Sequence, residues 1–271
     1  ALIEYTRNRF AYSLALEVFR QALRRRGLPE ADVSAFDRLS RFATAVAPHL
    51  PAPADLYDVL REIPEEIDWE SLRTQYDLPD LRESYERYFG AVPEDERPRR
   101  LRLRGSLLFG LAESERARIF PDRLAKGDYG GAGRLMTLGH DGDRRVTADG
   151  KPFEFPVDDR ALADHARAGR PLVECPGEYG ASSPVLDALV DAALEAGALG
   201  ACLTGAGIAG AVLALCRADG ADAVARGLRA RMARPDYARL AGLDRPLTPE
   251  EVEEAVVVNT AVDGAGLLVR P

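Results

Sequence analysis

Residues 203–215 read LTGAGIAGAVLAL, two apolar runs interrupted by five small residues. Glycine weakens the interior of a strand, so this pattern indicates either a tight turn between buried strands or a backbone that approaches another group closely. The runs LGACLTG (199–205) and AGAVLALC (209–216) have the length and apolar content of buried strands. The stretch therefore predicts two neighbouring strands, and it leaves both explanations of the glycines open.

A strong helix pattern precedes these runs in SSPVLDALVDAALEAG (182–197). Ser183 suits the N-cap, Pro184 the first helical position and Gly197 the exit from the helix. Three further segments follow: helices in DGADAVARGLRARMARP (219–235) and TPEEVEEA (248–255), and a strand in AVVVNTAV (255–262). This order of helices and strands predicts an α+β layer, in which helices cover one face of an antiparallel sheet.

The first half of the chain is predicted to be helical. RFAYSLALEVFRQALRRRG (9–27) and VSAFDRLSRFATAVAPHL (33–50) place apolar residues at a helical period. A long helix follows that we expect to be bent or broken near Pro121, and a second one ends near His140.

The pattern changes after His140, where RRVTADGKPFEF (144–155) predicts a hairpin around an Asp-Gly turn. We therefore divide the chain into a mainly helical segment, residues 1–140, and an α+β domain, residues 141–271.

The composition is that of an ordinary globular protein, with 271 residues of which 46% are hydrophobic and 30% are charged. The net charge of −8 gives no electrostatic reason to expect binding to nucleic acid or to an anionic membrane. No apolar stretch has the length of a membrane span, and the first residues show no secretory signal pattern. The three cysteines and three histidines lack the spacing of disulfide frameworks or metal sites. We therefore expect a cytoplasmic protein with no metal site in this chain and no nucleic-acid or membrane partner.

The stretch 203–215 resembles the third motif of the GHMP kinases, and of galactokinases in particular, in which Leu-Thr-Gly-Ala-Gly-Phe-Gly-Gly precedes a strand. Three more segments resemble galactokinases in the same order along the chain: EYTRNRF (4–10), LLFGLAESERARIFPDRLAKGDYGGAGRLMTLGHDGDR (107–144) and SSPVLDALVDAALEAGALGACLTGAG (182–207). The residues Thr137, Gly139 and Ala209 depart from the family pattern. These departures point away from strict galactose specificity and towards another sugar-kinase branch.

The resemblance implies a ferredoxin-like C-terminal layer of antiparallel strands and helices, and ATP-dependent phosphorylation of a small sugar with Mg²⁺. It assigns Tyr5 to the sugar site, where a phenol can hydrogen-bond a hydroxyl and stack on the ring. It also assigns five residues to the support of a phosphate loop or to direct phosphate contact: Thr204, Gly205, Ala206, Gly207 and Gly210. From the residues alone, the alternative for Tyr5 is an ordinary half-buried helix tyrosine, and the alternative for the glycines is a tight, small-residue crossing between strands.

Tyr179 and Gly180 lie in the loop CPGEYGASS, just before the helix that begins near Pro184. One aromatic residue among small ones suits the wall of a substrate pocket, and it suits a plain surface loop equally well. Arg7 and Arg9 follow Tyr5 and are candidates to pair with a phosphate or a sugar, or to be solvated surface residues.

The nucleotide loop and the catalytic aspartate of the family have no counterpart in this sequence, so the resemblance assigns no catalytic residue to this chain. We expect the C-terminal portion of a galactokinase-like kinase of galactose metabolism, which binds a sugar and a nucleotide and is completed by an N-terminal half. That half is either the preceding part of the same protein or a separate chain. The alternative, from another class of function, is a non-catalytic ligand-binding or interaction module derived from the same fold.

Overall fold

The computed structural model describes residues 2–78, 80–205, 207 and 210–259. Within them the helices are α1 (Leu2–Arg25), α2 (Glu30–Ala35), α3 (Phe42–Ala45), α4 (Pro53–Leu60), α5 (Trp69–Gln75), α6 (Leu81–Phe89), α7 (Arg104–Ala125), α8 (Tyr129–Asp143), α9 (Asp159–Ala168), α10 (Pro184–Glu195), α11 (Ala221–Met232), α12 (Pro235–Leu240) and α13 (Pro249–Glu254). The strands are β1 (Glu66–Asp68), β2 (Arg100–Arg102), β3 (Gly200–Thr204) and β4 (Ala211–Leu215). They form two antiparallel pairs, β1 with β2 and β3 with β4. This mixture of helices and small antiparallel sheets confirms the predicted α+β class.

The larger hydrophobic core lies around the two long helices α1 and α7. Phe10, Leu14 and Val18 repeat at four-residue spacing along α1 and are buried on one face. Leu107 and Leu111 give α7 the matching apolar face. Burying an aliphatic side chain of this size contributes about 1.5–3 kcal/mol, so this packing holds the helical part of the chain together.

Core packing also crosses residue 140, where we predicted a division of the chain. Leu162 of α9 and Cys175 belong to the same core as α1 and α7. The Tyr57 hydroxyl of α4 donates a hydrogen bond to the Arg170 carbonyl at 2.8 Å and lies 3.0 Å from Cys175 Sγ. The division at residue 140 stays a prediction about the character of the two segments.

α7 continues through Pro121 to Ala125, so the helix is not broken at this proline. Proline fixes φ near the helical value, but it removes the N–H that would bond the carbonyl four residues earlier. Asp128 then caps α8 by accepting a hydrogen bond from the Gly131 N–H at 2.9 Å. α8 ends at Asp143, beyond the predicted end near His140.

The strands predicted from the two apolar runs are confirmed as β3 and β4. They pair antiparallel with Gly200 opposite Leu215 and Thr204 opposite Ala211. A second, smaller core packs Ala201 against α10 and α11, through Val190 and Val224. Helices therefore cover one face of this sheet, as the alternation of helices and strands predicted.

α8 runs along β3 and completes its outer edge. The Ala201 N–H donates to Thr137 Oγ1 at 3.4 Å, and the Leu203 N–H donates to His140 Nδ1 at 3.4 Å. Helix and strand come this close because Gly133 faces Gly200, and a Cβ on either residue would overlap the backbone of the other. This packing carries the C-terminal end of α8 to the end of β3.

At the ends of this layer, the predicted last strand is wrong within the described residues, and the predicted N-cap is confirmed in its position only. Residues 256–259 of the predicted last strand are not a strand: Val256 packs against the cluster around Met232, and its carbonyl accepts a hydrogen bond from Arg229 Nη2 at 3.2 Å. The remainder of that prediction lies outside the described residues. Ser183 stands at the N-cap of α10, but its side chain makes no capping hydrogen bond and its buried Oγ has no partner among the described residues.

The turn in the predicted hairpin is confirmed, with Gly150 at a φ of 79°. Its ladder is one bridge long and pairs Val146 with Pro152. The Thr147 N–H donates to the Lys151 carbonyl at 2.8 Å, and the Phe153 N–H donates to the Arg145 carbonyl at 3.0 Å. Among the described residues, no helix has the length and apolar character needed to cross a membrane.

Candidate functional site

A cavity of about 540 Å³ opens where α1, α7, the end of α8 and the end of β3 meet the loop 175–183. We call it the aromatic cavity. Its lining residues come from these elements and are Tyr5, Arg9, Tyr12, Ser13, Phe109, Asp143, Tyr179, Ala181, Leu203 and Gly205. Three residues that the sequence nominated for ligand contacts, Tyr5, Tyr179 and Gly205, therefore face one space. A larger groove of about 750 Å³ beside α1 and α6 contains none of the nominated residues.

Tyr179 forms the rigid wall of the aromatic cavity. Its ring stacks on Phe109 with centroids 5.0 Å apart and meets Tyr12 edge-on at 5.9 Å. The loop is fixed by the Tyr179 N–H, which donates to the Gly142 carbonyl at 2.7 Å, and by Asn8 Nδ2, which donates to the Tyr179 carbonyl at 2.7 Å. Burial raises the pKa of the Tyr179 phenol to about 12, so this hydroxyl stays protonated and can donate a hydrogen bond.

Tyr5 and Arg9 lie one helical turn apart on α1, at the mouth of this cavity. The Arg9 guanidinium stands 5.7 Å from the centroid of the half-buried Tyr5 ring. Arg9 is exposed, and no ion pair of its guanidinium occurs in the part of the chain that the structure describes. Arg7 differs, because it pairs with Glu4 at 3.4 Å and burial lowers its pKa. Of the two arginines, Arg9 is therefore the one available to a ligand in the aromatic cavity.

The small-residue segment after β3 packs against the tyrosine loop. Gly207 is buried with a φ of 75°, and a Cβ there would overlap the Ala181 carbonyl. Gly205 lines the cavity with a φ of 87° and open space at its Cβ position. Thr204 and Gly210 lie at the two ends of the connection and are exposed. Ala206 lies outside the described residues.

The sequence explains the glycines of this segment either by a tight turn or by a close approach of the backbone to another group. At Gly207 the close approach is the explanation, and the other group is the loop of Tyr179. The predicted phosphate role of this segment stays a prediction.

Gly180 lines a neighbouring, more polar cavity of about 430 Å³. Its carbonyl accepts a hydrogen bond from Arg145 Nη1 at 3.1 Å, and Arg145 also pairs with Glu4. Arg102 pairs with Glu178 at the same site. The arginines of this second cavity are thus engaged with carboxylates, and Gly180 does not share the space that Tyr5 and Gly205 line.

Asp143 is a site residue that the sequence reasoning missed. It is the last residue of α8, and its carboxyl faces the aromatic cavity. Its Oδ1 accepts one long hydrogen bond, from the Ala181 N–H at 3.3 Å. Burial of the carboxyl raises the pKa of Asp143 to about 7, and the negative charge of Glu113 acts in the same direction. The segment HDGDR gave no signal for this, because the desolvation comes from elements distant in sequence.

Asp187, at the start of α10, shows what a structural carboxylate in this neighbourhood looks like. It is 1% exposed and accepts hydrogen bonds from Ser182 Oγ at 2.6 Å and from the Arg145 and Val146 N–H groups, both at 2.9 Å. His140 Nε2 lies 3.1 Å from it. Burial acts to raise its pKa, but these donors outweigh burial and hold the pKa of Asp187 below its usual value. His140 is therefore buried in a structural network.

Residues 158–234 match the family model described as GHMP kinases C terminal. The matched segment is a little over a quarter of the chain, and it is similar to the C-terminal domain of the GHMP kinases. This match supports the GHMP kinase family that the sequence resemblance implied, and it carries no information on a galactokinase-like subtype. The matched segment includes Tyr179 and Gly205, whereas Tyr5, Arg9 and Asp143 lie before it. No curated protein matches the chain.

Proposed function

We propose that this chain forms the C-terminal domain and one wall of the sugar site of an ATP-dependent, galactokinase-like kinase that acts on a small sugar in the cytoplasm. In this proposal the nucleotide loop and the catalytic base come from outside the chain. The observation that carries it is the meeting of Tyr5, Tyr179 and Gly205 around one cavity beside a GHMP kinase C-terminal domain.

The cavity has the size and chemistry for a monosaccharide. Small-molecule sites in proteins have volumes of about 300–1,000 Å³, and this one measures about 540 Å³. Phenol hydroxyls on Tyr5, Tyr12 and Tyr179 can bond ring hydroxyls, while the aromatic faces suit the apolar face of a sugar. The stacking of Tyr179 on Phe109 holds one wall in place before a ligand binds, which lowers the entropic cost of binding.

Two features at the rim of the cavity suit the phosphates of a nucleotide or a product. The unpaired Arg9 guanidinium can form two parallel hydrogen bonds to a phosphate. Gly205 leaves open space for close approach to its backbone. These features support ATP as the second substrate of the proposed kinase.

In the proposed kinase, Mg²⁺ would be held mainly by the nucleotide phosphates. Among the residues that the structure describes, no group of three or more metal-ligating side chains converges. Mg²⁺ is usually bound through phosphates and one or two carboxylates. In the proposed reaction the ion therefore reaches this chain with the nucleotide, where it would neutralise phosphate charge during transfer.

Binding of aldoses to the purified chain tests the proposal directly. We expect calorimetric titration with D-galactose, D-glucose, D-mannose and L-arabinose to detect binding of at least one of them. Tyr5→Phe should weaken that binding about fivefold, because it removes one hydrogen bond worth roughly 1 kcal/mol. Tyr129→Phe is the matched control, since Tyr129 is a helix tyrosine with 51% exposure outside the cavity. Equal loss in both variants would contradict the assigned role of Tyr5.

Phosphate transfer needs a separate measurement. We expect the 271-residue chain alone to release no sugar-dependent ADP from Mg-ATP, because the nucleotide loop and base are missing from its sequence. Sugar-dependent turnover by this chain would contradict that assignment. Aldose binding that never leads to transfer, even with the preceding part of the protein supplied, would favour the non-catalytic binding module.

A further inference from the structure

We infer that the Asp143 carboxylate is a ligand-binding group of the aromatic cavity, where it accepts a hydrogen bond from a hydroxyl of a neutral, polyhydroxylated ring. This inference rests on the proposed sugar site and assigns to it a residue that has no role under the sequence resemblance and that lies before the matched segment. Asp143 is assigned to binding and positioning of the ligand.

The first argument is the incomplete hydrogen bonding of this carboxylate. In the described part of the chain, Asp143 accepts one bond, at 3.3 Å to Oδ1, and Oδ2 accepts none. Asp187 nearby accepts three hydrogen bonds and also contacts His140. Carboxylates held inside proteins are normally satisfied by donors, and a carboxylate that opens on a cavity has the capacity to accept a hydrogen bond from a ligand there.

The second argument is the charge around the carboxylate. The titratable groups that face it are Tyr5, Arg9 and Tyr12 from α1, Glu113 and Arg116 from α7, Tyr179 from the loop, Asp187 from α10 and Cys202 from β3. Arg116 is already bound to Glu113 at 2.7 Å and to the Cys175 carbonyl at 2.9 Å. No cation lies within ion-pair distance of Asp143 among the described residues. The protein itself therefore does not neutralise this group.

These surroundings select the kind of ligand. A phosphate or carboxylate placed at this end of the cavity would be repelled by Asp143, Glu113 and Asp187. A metal ion would need further ligands, and no such cluster exists among the described residues. A sugar hydroxyl donates to a carboxylate in a strong charge-assisted bond, while the neighbouring aromatic rings contact its ring carbons. Arg9 at the mouth then remains free for an anionic group of the same or a second ligand.

The ionised form is the better acceptor, so binding should strengthen as Asp143 loses its proton. With its pKa at about 7, the carboxylate is about one-tenth ionised at pH 6 and nine-tenths ionised at pH 8. The dissociation constant of the tightest-binding aldose should therefore fall about tenfold between these two pH values. The experiment is calorimetric titration of the full chain at pH 6 and pH 8 with the four aldoses named above.

Asp143→Asn and Asp141→Asn form the matched pair of variants. Asp141 lies on the same helix, is half-buried and pairs with Arg144 at 3.2 Å, but it does not line the cavity. We expect Asp143→Asn to weaken aldose binding at pH 8 at least tenfold and to abolish its pH dependence. Asp141→Asn should bind as the wild type does. Unchanged affinity and pH dependence in Asp143→Asn would overturn the inference.

A measurement on the wild-type chain covers the case in which Asp143→Asn does not fold. The ¹³C resonance of the Asp143 carboxyl, followed by NMR through a pH titration, should report a pKa about one unit lower with saturating aldose than without it. Aldose binding that leaves this titration unmoved would overturn the role of Asp143 alone. Failure of every aldose to bind the wild-type chain would overturn both this inference and the proposed sugar site.

Discussion

Asp143 and Asp187 are two carboxylates near the C-terminal end of α8 whose surroundings shift their pKa values in opposite directions. Asp187 is surrounded by donors from Ser182, Arg145 and Val146, and it is stabilised as an anion. The Asp143 residue as a whole is half-buried, because one side of it opens on the cavity. Its carboxyl is nevertheless surrounded by protein and receives one long hydrogen bond. Divergent pKa values in one site commonly separate a structural group from a functional one.

The raised pKa of Asp143 predicts a specific pH dependence of stability. Its folded-state pKa of about 7 lies above the ordinary value of 3.8, so the folded chain binds the proton more tightly than the unfolded chain. The stability that Asp143 contributes is therefore fully present below pH 4 and is lost as pH rises to 7. This difference between the folded and unfolded pKa values corresponds to a loss of at most about 4 kcal/mol in the free energy of unfolding.

Asp143→Asn removes the titrating group, so the variant should gain stability relative to the wild type as pH rises from 4 to 8, by roughly 2–4 kcal/mol. Urea unfolding at the two pH values measures this change. Asp219→Asn serves as the control, since Asp219 is exposed and pairs with Arg217 at 3.1 Å, its one ion pair among the described residues. A pH dependence of Asp143→Asn that matches the control would show that the Asp143 carboxyl is not enclosed as described.

At the scale of elements, the aromatic cavity depends on two close backbone contacts. Gly133 against Gly200 brings α8 onto β3, and Gly207 against Ala181 fixes the end of the sheet to the tyrosine loop. Both contacts leave no room for a Cβ, so small residues here serve the approach of elements to each other. Cavity shape therefore follows from how α8, β3 and the loop 175–183 pack.

We expect Gly207→Ala to destabilise the chain by about 2–4 kcal/mol. About 1–2 kcal/mol comes from the positive φ, and the rest from overlap with the Ala181 carbonyl. Gly150→Ala is a matched control, because Gly150 has a φ of 79° and open space around its Cβ position, and should cost only about 1–2 kcal/mol. Thermal unfolding of the two variants compares them. Equal destabilisation would mean that the close approach to Ala181 contributes nothing.

At the scale of the whole molecule, the segment 158–234, which matches the GHMP kinases C-terminal model, is packed into the helical part that precedes it. α9 lies within the matched residues 158–234, yet its Leu162 is buried in the core of α1 and α7. The aromatic cavity likewise needs α1 and α7 on one side and the loop of Tyr179 on the other. The predicted segments on the two sides of residue 140 therefore share both a core and a candidate site.

This shared core predicts that residues 141–271 expressed alone will not fold to a stable state. Leu162 and Cys175 would lose the partners that bury them, at a cost of about 1.5–3 kcal/mol for a leucine. Circular dichroism and amide NMR dispersion of the fragment, compared with the full chain, measure the outcome. A fragment that unfolds cooperatively with native dispersion would instead establish residue 140 as a boundary of independent folding.

Several elements could be predicted from sequence because their signals are local. The apolar runs became β3 and β4, and the Pro-initiated pattern became α10 with Gly197 at its exit, where φ is 98°. Ser183 occupies the predicted N-cap position, but its buried hydroxyl makes no capping hydrogen bond, which the residue type alone could not show. The strand predicted from the run that includes Val257 and Val258 is absent from the described residues, because a β-branched run forms a strand only where a neighbouring strand is available to pair with it.

The sequence by itself determined the α+β class, the β3–β4 pair and the resemblance to GHMP kinases, because periodicity and turn residues act over a few neighbouring positions. Only the tertiary structure decided that Tyr5, Tyr179 and Gly205 share one cavity. It alone also singled out Asp143 over the other aspartates, since desolvation and missing donors depend on groups brought together from four separate elements.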